Sequence, residues 1–188
     1  MDQAEKQNPT REAPWAEWPH LRYTGVSGTV QSWLRDTGSL TARLKVASRG
    51  NFRVRLLNQG WGRPLYSENR LLGMRAREVA VVREVELLCD GVPWVFARTL
   101  IPASSLTGAA RQLTRLGERP LGEVLFTHRQ MQRGVTEMAR LTPRHRLFAD
   151  ASGRLERRVE SVWGRRTLFY LAGKPLLVNE IFLPDSLV

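Results

Sequence analysis

Alternating hydrophobic and polar positions near the end of the chain predict a strand that is covered on both faces. In the run KPLLVNEIFLP, residues 174–184, alternation places Glu180 on the same side as Val178 and Phe182. The other side is also mostly apolar, so Glu180 is expected to be at least partly removed from water, where an unpaired carboxylate is costly. Glu180 therefore needs a partner, which is either an Arg in a structural ion pair or a ligand.

A second alternating segment, REVAVVREVELLCDGVPWVFARTLIP (residues 77–102), predicts a β-hairpin that turns at Asp90 and Gly91. Alternation puts Arg83 on the apolar side of the first strand. If the turn has two residues, the register places Arg98 opposite Arg83, so that two guanidinium groups converge. Like charges in that position indicate an anion between or beside them, although a one-residue bulge would cancel the inference.

The remaining segments predict an α+β fold, in which helices pack on a largely antiparallel sheet. Residues 26–48 have the pattern of two short helices broken at residues 36–38, with Ser39 as the cap of the second. Residues 104–127 have the pattern of another helical pair. Strands are predicted within 51–64 and 129–141 and in a last hairpin that turns near Gly173 and Lys174. Residues 64–74 are predicted to form a connecting loop or a helical turn, and residues 142–157 a connection.

Length and composition place the chain among folded globular proteins. Its 188 residues are 42% hydrophobic and 25% charged, which suits one domain with its own core. We expect residues 1–20 to form a loose tail, anchored at Trp15 and Trp18, and residues 21–188 to form the domain. The N-terminus lacks the apolar core of a signal peptide, and no apolar run reaches the roughly 20 residues of a membrane span. A cytoplasmic location without stable membrane insertion is therefore expected.

The formal net charge of +11 is the extreme feature of the composition, and Arg supplies nearly all of the positive charge. These Arg residues are scattered through the predicted helices and strands, and no zinc-finger, RNP or basic-zipper pattern accompanies them, so no nucleic-acid partner is expected. The single Cys89 cannot form an internal disulfide. It lies at the end of a predicted strand and is expected to be a buried thiol without a metal or redox role.

The sequence offers little hydrolytic chemistry, because it has no G-x-S-x-G motif and its three His residues lie in polar or loop-like contexts. What remains is Arg83 and Glu180 on apolar faces, joined by Arg98 if the hairpin has no bulge. Buried Arg and Glu side chains in one domain often form a structural pair. Arg165 or Arg166, on the strand beside Glu180, could serve as that partner instead of Arg83.

Several motifs, in order and at similar spacing, resemble the chorismate lyase family: REVELLCDGVPWVFARTLIPASSLTG, LGERPLG, WGRR and GKPLLVNEIFLP. The similarity is dense over residues 83–126 and 163–184 and thinner at SWLRDTGSLTARL. It implies a monomeric α+β protein with a six-stranded antiparallel sheet and an internal ligand cavity closed by two helical flaps. It also implies a reaction without a cofactor, in which chorismate yields 4-hydroxybenzoate and pyruvate for ubiquinone biosynthesis.

Carried over by position, the resemblance also implies ligand contacts. Arg83 would grip the ring carboxylate of chorismate, and Glu180 would engage the C4 hydroxyl end, either transferring a proton or only orienting the ring. Leu121 would offer its backbone. Arg98, which the hairpin register and not the resemblance singles out, would help to neutralise the dianion. Leu40 would lie on a flap, where the best-known member has Met.

An effector-binding domain without catalytic activity is the alternative function, since the ligand-sensing domains of some transcription regulators are similar in fold. The segment 141–160 is also longer than the resemblance leads us to expect, which leaves the strand arrangement there open.

Overall fold

A computed structural model of the chain describes residues 11–21, 26–155 and 158–184. Six strands in these ranges form one sheet: β1 (Phe52–Gly62), β2 (Ala80–Cys89), β3 (Val92–Pro102), β4 (Met131–Leu141), β5 (Val162–Leu171) and β6 (Lys174–Phe182). Their order is β1-β2-β3-β6-β5-β4, and every neighbouring pair is antiparallel. The predicted α+β fold with about six antiparallel strands is therefore confirmed.

Short α-helices connect these strands. The predicted break between the first two helices is confirmed, and Ser39 caps the second by accepting a hydrogen bond from the backbone N–H of Ala42 at 3.4 Å. Within the described ranges the helices are α1 (Gly28–Leu34), α2 (Leu40–Ala47), α3 (Tyr66–Leu71), α4 (Gly108–Gln112), α5 (Leu121–Leu125) and α6 (Arg146–Ser152). Short 3-10 turns lie at Trp18–His20, Ala103–Ser105 and Leu113–Arg115.

The prediction that residues 142–157 are only a connection is wrong, because α6 lies within them. This helix has two turns, and the Pro and Gly residues on either side of it concealed its pattern in the sequence. It buries Leu147 and Phe148 against the sheet. The longer segment between β4 and β5 thus adds a packed helix and leaves the strand order intact; residues 156 and 157 lie outside the described ranges.

Both predicted hairpins are present. Cys89 pairs with Val92 across the first turn, where Asp90 and Gly91 have φ values of 52° and 81°, the conformation that Asp-Gly favours in a two-residue turn. The second hairpin turns one residue earlier than predicted, since Leu171 pairs with Lys174. Cys89 is buried, as predicted, and burial raises the pKa of its thiol.

The predicted register of the first hairpin is wrong beyond its turn, because β3 contains a bulge. Leu87 pairs with Val95 but Leu88 pairs with Pro93, so Trp94 is an extra residue in β3. The bulge reverses the faces of the residues that follow it. Arg98 therefore lies opposite Glu84, on the other side of the sheet from Arg83, which pairs with Thr99.

Each face of the sheet has its own layer of helices. One face packs against α1, α2, α4 and α5, and the opposite face packs against α3 and α6. The first layer is the one that creates a pocket. Its buried apolar side chains include Val30, Trp33, Leu34, Leu44, Leu113, Leu116 and Leu125 from the helical segments and Val85, Leu87, Leu176, Val178 and Phe182 from the sheet.

Residues 11–20, which we expected to belong to a loose tail, lie against the folded part of the chain. The backbones of Ala16 and Met138 exchange hydrogen bonds of 3.1 and 2.7 Å. The Glu12 carboxylate accepts hydrogen bonds from the backbone N–H groups of Tyr66 and Ser67 at 2.6 and 2.8 Å. Trp15 packs beside the cluster around α6. Residues 1–10 of the expected tail lie outside the described ranges.

Arg98 belongs to a buried charge network on the face away from the pocket. Its guanidinium forms ion pairs with Glu68 at 3.2 Å and Glu84 at 2.5 Å. Glu68, in α3, is fully buried and also accepts hydrogen bonds from the Asn179 side chain and the backbone N–H of Leu65. This network fastens α3 to the sheet, so Arg98 has a structural position.

Replacing Glu68 with Ala should lower the free energy of unfolding by about 3 kcal/mol, because several buried donors lose their acceptor together. Denaturant unfolding followed by circular dichroism measures this change. The control is Glu160→Ala at an exposed position, which should shift stability by less than about 0.5 kcal/mol. Equal stability of the two variants would show that the network contributes nothing.

Candidate functional site

A pocket lies between the sheet and the helices α2 and α5. Its walls combine apolar side chains with four charged residues. Of the residues that the sequence predicted as ligand contacts, Arg83, Glu180, Leu121 and Leu40 line it and Arg98 does not. The charged residues are Arg83, Arg133, Arg165 and Glu180; the uncharged ones are Gly38, Leu40, Thr41, Val54, Val85, Leu87, Ala97, Thr99, Pro120, Leu121, Gly122, Leu125, Phe126, Phe169 and Val178.

Arg83 is a buried cation whose charge is not balanced by a carboxylate within the described ranges. Its side chain is 4% exposed, and its Nη2 donates hydrogen bonds to the carbonyls of Gly117 and Arg119 at 2.8 and 3.1 Å. Its buried Nε has no acceptor among the described residues. Burial lowers the pKa of Arg83. A guanidinium with spare donors in an apolar pocket is suited to binding an anion.

Glu180 forms a cross-strand ion pair with Arg165 on β5. Of the partners considered from the sequence, Arg165 is therefore the one that Glu180 contacts, since Arg166 faces the other side of the sheet and pairs with Glu137 at 2.6 Å. The Arg165 side chain is 2% exposed, whereas the Glu180 side chain is 14% exposed and lines the pocket. The ion pair holds the carboxylate in place and leaves part of it open to a ligand.

Arg165 also fixes the turn between α1 and α2. Its Nη1 donates hydrogen bonds to the carbonyl oxygens of Trp33 and Asp36 at 3.1 and 2.5 Å. Arg83 does the same for the segment before α5 through Gly117 and Arg119. Each of the two helices over the pocket is thus tied to the sheet by one buried Arg.

The helices α2 and α5 meet above the pocket. Leu40 and Leu121 are their first residues, and both line the pocket. The close approach depends on Gly122, because a Cβ at that position would lie 2.7 Å from Thr41 Oγ1. At the surface, Lys45 of α2 and Glu123 of α5 form an ion pair of 2.5 Å; the two residues are half-exposed, so this pair adds little stability.

Sequence reasoning missed Arg133. It pairs with Phe169 on β5, whereas Thr136 pairs with Thr167, so β4 carries one extra residue between them. This bulge turns Arg133 toward the pocket face. Without it, strict alternation from Thr136 would place Arg133 on the opposite face of the sheet. Gly134 follows Arg133, and a glycine within a predicted strand was the available signal for a bulge.

Arg133 lies over two aromatic rings and near other charges. Its guanidinium is 5.5 Å from the ring centre of Phe126 and 5.0 Å from that of Phe169. Nη2 donates a hydrogen bond to the carbonyl of Gly38 at 3.3 Å. Burial, and next the Arg165 guanidinium, lower the pKa of Arg133. Within the described ranges no carboxylate forms an ion pair with Arg133.

The charged residues of the pocket leave an excess of two positive charges, since three guanidiniums face one carboxylate. Such a site favours a ligand with negative charge and an apolar body. In the part of the chain that the structure describes, no cluster of three or more His, Cys, Asp or Glu side chains could hold a metal ion. No helix in that part is long and apolar enough to cross a membrane.

Comparison with known sequences links the chain to one family. The sequence model of the chorismate lyase family matches residues 11–188. A probable chorismate pyruvate-lyase of Methylococcus capsulatus is 45% identical over 158 residues, which cover 84% of this chain and 96% of that protein. A probable chorismate pyruvate-lyase of Thiobacillus denitrificans is 42% identical and covers 85% of this chain and 84% of its own length.

Comparison with solved structures shows similarity of fold. The effector domain of PhnF from Mycobacterium smegmatis gives a TM-score of 0.61 at 17% identity, covering 80% of this chain and 91% of that domain. The effector-binding domain of the trehalose repressor of Bacillus subtilis gives a TM-score of 0.52 at 9% identity, covering 71% and 91%. The sheet architecture is therefore shared with ligand-sensing domains of transcription regulators.

Gly122→Ala should push α2 and α5 apart, because the new methyl group would collide with Thr41 Oγ1. Amide hydrogen exchange should become faster in both helices. In a Thr41→Ala variant the hydroxyl group that would collide is absent, so adding Gly122→Ala should change the exchange rates little.

Gly28→Ala is the matched control, because a Cβ there has no atom within 4 Å. Unchanged amide hydrogen exchange in the Gly122→Ala variant would contradict a tight contact between α2 and α5.

Proposed function

We propose that this chain, which belongs to the chorismate lyase family, converts chorismate to 4-hydroxybenzoate and pyruvate for ubiquinone biosynthesis. The observation that carries the proposal is Arg83: a buried guanidinium with an unused donor, facing an apolar pocket whose other polar groups include the Arg165–Glu180 pair. A rigid ring with a carboxylate at one end and a hydroxyl at the other complements this arrangement.

Arg83 binds the carboxylate on C1 of the chorismate ring. The guanidinium is already oriented by the carbonyls of Gly117 and Arg119, so little conformational entropy is lost when the carboxylate accepts the remaining donors. The apolar side chains of Val85, Leu87 and Val178 then contact the ring. Because water is excluded there, the charge-assisted hydrogen bonds are strong.

Glu180 binds the C4 hydroxyl, which lies across the ring from C1. Its carboxylate is held by Arg165 and accepts the hydroxyl proton in a hydrogen bond. Because Arg165 holds this carboxylate in a fixed position, Glu180 orients the ring. The backbone N–H of Leu121 is available to the ligand, since the first N–H groups of a helix have no acceptor within it. Leu40 closes the pocket from the other helix.

The reaction itself can proceed within the substrate. The C4–H bond breaks, its hydrogen moves to the methylene carbon of the enolpyruvyl group, and the C3–O bond breaks as the ring becomes aromatic. Atoms and electrons balance, because the departing group becomes pyruvate and the ring becomes 4-hydroxybenzoate. No cofactor takes part in this step. The protein contributes by holding the enolpyruvyl carbon over C4 in a desolvated pocket.

We also propose that α2 and α5 act as flaps that open to admit substrate and release product. We propose further that the enzyme is a monomer that acts on its small-molecule substrate in the cytoplasm, without a nucleic-acid partner; the four charged residues of the pocket, which belong to one chain, suit a monomer. Size-exclusion chromatography with light scattering tests the monomeric state.

Incubation of the purified protein with chorismate should release pyruvate and 4-hydroxybenzoate in equal amounts, in buffer that contains EDTA. An enzyme-coupled assay measures the pyruvate, and ultraviolet absorbance measures the 4-hydroxybenzoate. An effector-binding domain would bind an aromatic acid without turnover, so binding of 4-hydroxybenzoate in the absence of product formation would favour that alternative.

Glu180→Gln should lower kcat by about tenfold, because the amide can still orient the C4 hydroxyl but with a weaker hydrogen bond. Single-turnover measurements with chorismate isolate the chemical step from product release. A loss near the upper end of the 10²–10⁴ range typical of general acid–base catalysis would instead assign proton transfer to Glu180.

A further inference from the structure

We propose that Arg133 binds the second carboxylate of chorismate, the one on the enolpyruvyl group, and so distinguishes the dianionic substrate from the monoanionic aromatic product. This inference rests on the proposed function and assigns a role to a pocket residue that the motifs of the sequence did not reveal. Four features of the structure support it.

The first feature is the order of the strands. Glu180 is on β6, Arg83 lies two strands away on β2, and Arg133 lies two strands away in the opposite direction on β4. With a strand spacing of about 4.8 Å, each Arg starts about 10 Å to one side of the strand that carries Glu180. Both side chains line the same pocket, so they enter it from opposite sides of β6.

The second feature is the shape of the substrate. The C1 carboxylate and the C4 hydroxyl lie at opposite ends of the ring, and the enolpyruvyl ether is attached at C3, beside C4. When Arg83 holds the carboxylate and Glu180 holds the hydroxyl, the enolpyruvyl group must lie at the Glu180 end of the pocket. The cations at that end are Arg165, which pairs with Glu180, and Arg133, whose guanidinium reaches along the sheet to the Gly38 carbonyl. Gly38 belongs to the same turn as Asp36, whose carbonyl accepts a hydrogen bond from Arg165.

The third feature is the difference between these two cations. Arg165 already pairs with Glu180, and its Nη1 donates to two backbone carbonyls. Arg133 makes a single hydrogen bond of 3.3 Å, to the Gly38 carbonyl, and it has no ion pair within the described ranges. The rings of Phe126 and Phe169 lie beside the guanidinium and accept no conventional hydrogen bond from it, so most of its N–H donors are available for a carboxylate.

The fourth feature is the charge of the pocket. Its excess of two positive charges equals the charge of the chorismate dianion in magnitude. After the reaction the two carboxylates belong to separate molecules: 4-hydroxybenzoate stays with Arg83, and pyruvate stays with Arg133. Arg133 is half-buried beneath the turn that contains Gly38, so pyruvate lies near the edge of the flap.

The test compares two substitutions on two ligands. Arg133→Met should lower kcat/KM for chorismate by about a hundredfold, the order expected when one partner of a desolvated charge pair is removed, with unchanged affinity for 4-hydroxybenzoate. Arg83→Met should weaken both, because substrate and product share the ring carboxylate. Steady-state kinetics and isothermal titration with 4-hydroxybenzoate give the two readouts.

Two further variants separate binding from folding. Arg133→Lys keeps the charge and should recover most of the lost kcat/KM, whereas Arg129→Met, at an exposed position on the same segment, should leave both readouts unchanged. Retained affinity of Arg133→Met for 4-hydroxybenzoate shows that the pocket is intact.

The outcomes distinguish this inference from the proposed function. If the wild-type protein does not convert chorismate, the proposed function is wrong and the inference falls with it. If the wild-type protein is active and Arg133→Met either keeps its kcat/KM or loses affinity for both ligands equally, Arg133 does not bind the second carboxylate.

Discussion

The ion pair between Arg165 and Glu180 is the interaction on which the pocket depends. It crosses between β5 and β6 in the middle of the sheet, and the same guanidinium holds the carbonyls of Trp33 and Asp36. One buried side chain therefore sets the position of the carboxylate and of the turn between α1 and α2. Breaking a buried pair of this kind leaves an uncompensated charge, which costs far more than the pair itself contributes.

The two faces of the sheet carry different kinds of Arg residues: those on one face form ion pairs that stabilise the fold, and two on the other face lack such partners. On the face away from the pocket, Arg98 and Arg166 have carboxylate partners and fasten helices or neighbouring strands. On the pocket face, Arg83 and Arg133 are desolvated without such partners in the described part of the chain. In the complex that we propose, a bound dianion compensates the desolvation of these two cations, and the pocket selects its ligand by charge as well as by shape.

Much of the fold can be predicted from the sequence, because strand alternation and turn formation depend on residues that are close together in the chain. The Asp90-Gly91 hairpin and the Ser39 cap each depend on neighbouring residues alone. Arg83 and Glu180 could be singled out because both lie in runs where alternation is uninterrupted up to the residue in question. Helix α6 was missed because two turns of helix between Pro143 and Gly153 give too short a pattern.

The sequence by itself determined the α+β class, the strand pairs at each hairpin, and two of the polar residues of the pocket. Only the tertiary structure decided which cations face the ligand, because bulges in β3 and β4 shift the parity of every residue beyond them. The bulge in β3 places Arg98 on the face away from the pocket, and the bulge in β4 places Arg133 on the pocket face. A bulge is set by the fit between a strand and its neighbours, which are distant in sequence, and local alternation does not record it.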